Sequence, residues 1–125
     1  MAEDREFVVR SFLDSVNGEV HESLGFFTSD ATYRVNAWSQ PLRGIEAIRS
    51  EFERQHSLWR NFRYELLAIA TVNATVFVER SDTAHMTGTE ITIHVVGVFE
   101  VNDDGMIEDW REYYDMKEIE AQLVA

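Results

Sequence analysis

The sequence contains no cysteine, which excludes a disulfide framework, a thiolate metal site and a thiol nucleophile, and is compatible with an intracellular setting. Basic residues are scarce. Eleven Lys and Arg face twenty-three Asp and Glu, a formal net charge of −12, and such a surface repels a nucleic-acid backbone. No stretch is both long and uncharged enough for a signal peptide or a membrane span. The expectation is a cytoplasmic protein with no membrane or nucleic-acid partner, mature over residues 1–125. Proline occurs once, and repeats and low-complexity linkers are missing. Residues 1–125 therefore read as a single domain, long enough to bury most of its apolar surface without staples. Also absent are a glycine-rich phosphate loop, a Gly-x-Ser-x-Gly turn and a His-Glu-x-x-His pattern. His21, His56, His85 and His94 lack ligand spacing, so neither metal nor cofactor is expected. Asn102-Asp103-Asp104-Gly105 starts like a calcium loop but has none of the later ligands, and reads as a hairpin turn. Asn73-Ala74-Thr75 has the form of a glycosylation sequon, with no secretory signal to give it meaning.

What is present is a chain 45% hydrophobic and 12% aromatic whose periodicity changes midway. Phe7, Val8, Phe12, Leu13 and Val16 recur at helical spacing, predicting a helix over 3–16 that Asn17-Gly18 ends. A short helix over 19–27, a turn at Thr28-Ser29-Asp30, a strand over 31–35 and a loop holding Pro41 follow. Ile45, Ile48, Phe52, His56 and Trp59 mark a third helix. Beyond it, 62–70, 75–82, 90–101 and 106–114 are rich in β-branched and aromatic residues, predicting four consecutive strands. A helix over 116–124 closes the chain. Helices followed by a meander indicate an α+β domain with its helices on one face of a curved, mainly antiparallel sheet.

The strand over 90–101 is apolar on both faces, with Ile91, Ile93, Val95 and Phe99 on one and Val96 and Val98 on the other. Three helices cover one side only, so a homodimer through the outer face is expected. Charge also sits where apolar side chains belong. Val76, Val78, Arg80 and Asp82 share one strand face, and Trp110, Glu112 and Tyr114 share another. Buried charges are costly unless paired, so these positions form either a closed ion-pair network or a working site.

Val78-Glu79-Arg80-Ser81-Asp82, Val96-Gly97-Val98-Phe99, Gly105-Met106-Ile107 and Trp110-Arg111-Glu112-Tyr113-Tyr114-Asp115 together resemble the limonene epoxide hydrolase family. That family lies within the nuclear transport factor two-like (SnoaL-like) superfamily, whose helices-then-meander order the chain resembles from end to end. The resemblance implies a strongly curved mixed sheet forming a cone around an apolar pocket. It also implies one-step epoxide opening by an Asp-Arg-Asp triad, in which one carboxylate activates water, the other acid protonates the epoxide oxygen and Arg bridges them. By position, Arg80 matches the bridge and Asp82 the acid. Glu112 falls where the family has the water-activating Asp, a departure by one methylene. Tyr33 and Asn36 correspond to the water-holding Tyr and Asn, yet stand three residues apart where the family has two.

Trp38, Trp59, Val78, Ile93, Val95, Trp110 and Tyr114 are the expected pocket residues, with Phe62 beside Trp59, although large aromatics fill cores as readily as ligand sites. The function implied is cofactor-independent hydrolysis of a small apolar epoxide to a vicinal diol. A SnoaL-like cyclase or isomerase using the same carboxylates, and a non-catalytic small-ligand-binding dimer, remain open beside it.

Overall fold

The computed structural model describes residues 2–123. Helices α1 (Ala2–Asp14) and α2 (Val20–Leu24) precede strands β1 (Phe27–Arg34) and β2 (Leu42–Arg43), and α3 (Ile45–Leu58) follows them. Strands β3 (Arg60–Val72), β4 (Thr75–Met86), β5 (Thr89–Val101) and β6 (Ile107–Tyr113) form the meander, and α4 (Met116–Leu123) closes the chain. The six strands make one sheet in the order β2-β1-β6-β5-β4-β3. Only β1 with β6 is parallel among these pairings. The expected α+β architecture with a mixed, mainly antiparallel sheet is what the chain adopts.

Several boundaries differ from the periodicity. Thr28-Ser29-Asp30 is strand, not turn, because β1 begins at Phe27, whose partner is Ile107 on β6. The register shifts between Phe27 and Thr32, so parallel pairing absorbs the polar residues as an irregularity. Leu42–Arg43, expected as loop, pairs with β1 at Thr32 and Tyr33. On α3 the inward row is Ile48, Phe52 and half-buried Gln55, while His56 is exposed. Strand β4 runs four residues past Asp82, to Met86. The β5–β6 hairpin turns at Asn102–Gly105 as expected, with Asn102 Oδ1 accepting the N–H groups of Asp104 and Met106 at 2.9 Å each. Val124, expected in the last helix, lies outside the described residues.

Strand length explains where the core stops. Thirteen residues of β5 extend roughly 40 Å at about 3.3 Å per residue, whereas the thirteen residues of α1 cover about 20 Å. Val9, Phe12 and Leu13 of α1 and Ile48 and Phe52 of α3 pack on Val76, Val78, Phe99, Val101 and Trp110. Phe12 sits 4.9 Å from the Trp110 ring and 5.0 Å from that of Phe27. The other half of the inner face, from Arg80 to Ala84 on β4 and from Ile91 to Val95 on β5, lines a cavity instead. Strand β6 pairs β5 only from Val96 onward, which leaves the first half of β5 with a free edge. Helix α4 covers it. Thr92 N–H donates to Gln122 Oε1 at 2.9 Å, Gln122 Nε2 donates to Thr92 O at 2.7 Å, and His94 N–H donates to Glu118 Oε1 at 2.8 Å, an edge blocked by side chains.

Candidate active site

Side chains two apart on a strand point the same way, so β4 sends Arg80 and Asp82 inward after Val76 and Val78, and β6 sends Glu112 inward after Trp110. Strand β5 separates them. Gly97 is the β5 partner of both Val78 and Glu112, and a Cβ there would stand 2.5 Å from Glu112 Oε2 and 2.7 Å from Arg80 Nη1. Glycine is thus what lets the guanidinium reach across the strand. Arg80 Nε and Nη2 donate to Asp82 Oδ1 and Oδ2 at 3.0 and 2.8 Å. Its Nη1 and Nη2 donate to Glu112 Oε2 and Oε1 at 3.1 and 2.5 Å. Trp110 Nε1–H adds a bond of 3.0 Å to Glu112 Oε2. Arg80 is 2% exposed, Asp82 8% and Glu112 7%.

Burial raises the Glu112 carboxyl above the ordinary glutamate range, and the Arg80 charge and the Trp110 N–H reduce that rise without cancelling it. At Arg80 burial works downward, but Glu112 and Asp82 outweigh it and hold the guanidinium charged. With both carboxylates ionised the triad carries −1.

Parallel pairing places Tyr33 opposite Trp110, and their rings stack at 4.2 Å and 4°. Burial first, and the Glu112 charge second, push the Tyr33 phenol far upward, so its O–H stays intact as a donor. Burial and Glu112 likewise raise Tyr114. Gln55 Nε2 donates to Tyr33 Oη at 3.2 Å.

Arg80, Asp82, Glu112 and Tyr33 all line a cavity of about 710 Å³, together with Trp59, Phe62, Ile93, Val95, Trp110 and Tyr114. Its remaining walls include Leu13, Val16, Ile91, Met116 and Ile119. Among the described residues no group of three or more His, Asp or Glu is placed to hold a metal ion.

Three expected site residues lie elsewhere. Asn36 is in the turn after β1, where its Nδ2 donates to Tyr114 O at 3.1 Å and its Oδ1 accepts the Trp38 N–H at 3.1 Å. The three-residue spacing from Tyr33 thus turns it from the cavity to the loop around Tyr114. Trp38 is 78% exposed and meets Tyr113 edge-on at 5.9 Å, on the side of β6 opposite Trp110 and Glu112, because the same turn carries it past the strand. Val78 is fully buried in the core, one inward position below Arg80, where the helices still cover the sheet. Conversely, Gly97 and Gln55 join the site from outside the expected set. A glycine inside an apolar strand is a signal of close approach, and a glutamine in the apolar row of α3 is a polar group at a buried position.

Residues 4–124 match the family described as the limonene-1,2-epoxide hydrolase catalytic domain. A relative in Mycobacterium tuberculosis, epoxide hydrolase EphG, is 28% identical over 108 residues, covering 86% of this chain and 71% of its own. The solved structure of an M. tuberculosis epoxide hydrolase of the same type superposes with a TM-score of 0.83 at 25% identity, covering 98% of this chain and 91% of that one. SalBIII, an epoxide hydrolase/cyclase-like enzyme of pyran ring formation in the polyether salinomycin, shares the fold with a TM-score of 0.84 at 21% identity, covering 93% and 94%. A hypothetical protein with a ketosteroid isomerase-like fold from Catenulispora acidiphila does so at 0.82 and 18%, covering 92% and 90%.

Proposed function

The chain belongs to the limonene-1,2-epoxide hydrolase family, and from that premise we propose that it hydrolyses an apolar epoxide to a vicinal diol without a cofactor. One observation carries the reading: a single buried guanidinium grips two carboxylates, and both line an apolar cavity. Water beside Glu112 gives it a proton as the water oxygen attacks a ring carbon. The carbon–oxygen bond breaks, and the epoxide oxygen takes the proton carried by Asp82. Glu112 then holds the proton that Asp82 lacks, and its transfer restores the starting state. Burial that raises Glu112 makes it a stronger base than an exposed glutamate, which suits the longer side chain to the family's aspartate role.

Incubation with a panel of apolar epoxides, with diol quantified by gas chromatography, tests this. Diol from the wild type and a rate about 10²–10⁴ lower for Asp82→Asn are expected. Absence of diol across the panel from folded protein would refute it.

The volume of about 710 Å³ supports a second reading of the same chemistry, because cavities of this size take drug-sized ligands. A hydroxyl of the substrate itself would replace water and yield a cyclic ether, which a hydroxy-epoxide substrate would reveal. The reading also includes a homodimer through the outer sheet face, where Phe77, Val96 and Tyr113 are 40%, 37% and 39% exposed. Sedimentation at the mass of two chains is the expected result.

A further inference from the structure

Helix α3 brings a chain of polar groups to the Tyr33 side of the cavity. Glu51 accepts hydrogen bonds from Arg54 Nε and Nη2 at 3.0 and 2.6 Å, and another from Gln55 Nε2 at 2.8 Å. Burial works to raise Glu51, but the bonds from Arg54 and Gln55 outweigh it and hold the carboxylate ionised. A carboxylate only accepts, so the Gln55 atom facing it is the amide nitrogen and not the carbonyl oxygen. That nitrogen has a second N–H, which it donates to Tyr33 Oη at 3.2 Å. The phenol oxygen is therefore an acceptor toward α3, and its own proton points elsewhere. The Tyr33 ring stacks on Trp110 at 4.2 Å, Trp110 Nε1 donates to Glu112 Oε2 at 3.0 Å, and Tyr33 and Glu112 line the same cavity.

We propose that Gln55 is a positioning residue which, by donating to Tyr33, commits the Tyr33 hydroxyl to donate into the cavity, to the oxygen that sits beside Glu112. Resting on the hydrolase reading, that oxygen is the attacking water. Tyr33 ties one of its lone pairs, Glu112 accepts one of its protons, and the second lone pair is free to meet carbon. Gln55 thus supports the water from a helix, in place of the Asn36 expected from the strand end.

Two measurements test the proposal separately from the reading beneath it. A neutron structure of the deuterium-exchanged wild type locates the deuteron on Tyr33 Oη without any turnover. It is expected to point into the cavity toward Glu112, and a deuteron directed at Gln55 or Glu51 would overturn the proposal even if the enzyme hydrolyses epoxides. The second is a double-mutant cycle on an epoxide that the wild type turns over. Gln55→Met, which keeps side-chain length but removes the donor, should lower kcat about tenfold, the effect of losing one neutral hydrogen bond, with KM changed less than about twofold. Tyr33→Phe should lower kcat at least as much, and the double variant no further than Tyr33→Phe alone, because Gln55 acts through Tyr33. Multiplying losses, or an unchanged kcat in Gln55→Met with only its urea midpoint lowered, would overturn it. A wild type that turns over no epoxide would sink the hydrolase reading, while the deuteron position would still decide the role of Gln55.

Discussion

Two arginines on opposite faces of the same sheet each stand between two carboxylates. On the inner face Arg80 binds Asp82 and Glu112, and the guanidinium is 2% exposed. On the outer face Arg111 binds Asp109 at 2.7 Å and Glu100 at 3.3 Å, with side chains 28% to 32% exposed. The residue types and the net charge of the two clusters match. Their surroundings do not. In the single chain water reaches the outer cluster, and partly exposed pairs of this kind contribute about 0–1 kcal/mol. The inner one is desolvated, pulled together across Gly97 and opened to an apolar cavity, so burial can raise Glu112 and make its protonation responsive to what binds beside it. Position on one face or the other separates a partly exposed ion cluster from the proposed acid–base machinery.

Breaking the two clusters in the same way should separate them most. Arg80→Leu leaves two buried carboxylates without their cation, Glu112 keeping the bond from the Trp110 N–H. It should abolish turnover and lower stability by about 3–5 kcal/mol, read from urea denaturation, whereas Arg111→Leu, compared with the wild type at a concentration where both are single chains, should cost no more than about 1 kcal/mol and leave kcat unchanged. Equal losses for the two would remove the distinction. The next effect concerns the passage between strands. Gly97→Ala puts a methyl group against Glu112 and Arg80, and overpacking of this kind costs about 1–3 kcal/mol. Turnover should fall about 10²-fold as the carboxylate is displaced by about 1 Å; unchanged kinetics would show that the Arg80–Glu112 contact is dispensable.

The smallest effect is one of pH. On the proposed mechanism Glu112 must be ionised to accept a proton from water, and burial raises it above its ordinary value of 4.5. Activity should therefore rise with pH through a limb of kcat/KM that lies above 4.5, and Asp109→Asn on the outer face should leave that limb in place. A limb at or below the ordinary glutamate value would contradict a desolvated base.

Alternation along strands makes Arg80, Asp82 and Glu112 legible in the sequence as inward-facing, because a period of two leaves a charged residue on an apolar face no other direction. Trp110 and Tyr114 follow by the same rule. Asn36 and Trp38 do not, since their directions depend on the turn after Arg34 and no periodicity governs a turn. Gln55 is hidden because one residue decides which row of a helix faces inward, and the row through His56 is equally apolar by spacing. Gly97 belongs to the recognisable Gly-Val-Phe segment, but its purpose depends on the register of three strands at once. Val78 shows the remaining limit: alternation says that a side chain points inward, and only the reach of the helices over the sheet decides whether it meets core or cavity.

On the proposed reading, the inner triad directs water onto the epoxide with no ester to either carboxylate. A single-turnover reaction in ¹⁸O-labelled water, with enzyme in excess over epoxide, distinguishes that route from attack by a side chain. The first diol formed should carry the label and the protein should carry none. An unlabelled first diol, with ¹⁸O then recovered in the peptide containing Asp82 or Glu112, would contradict it.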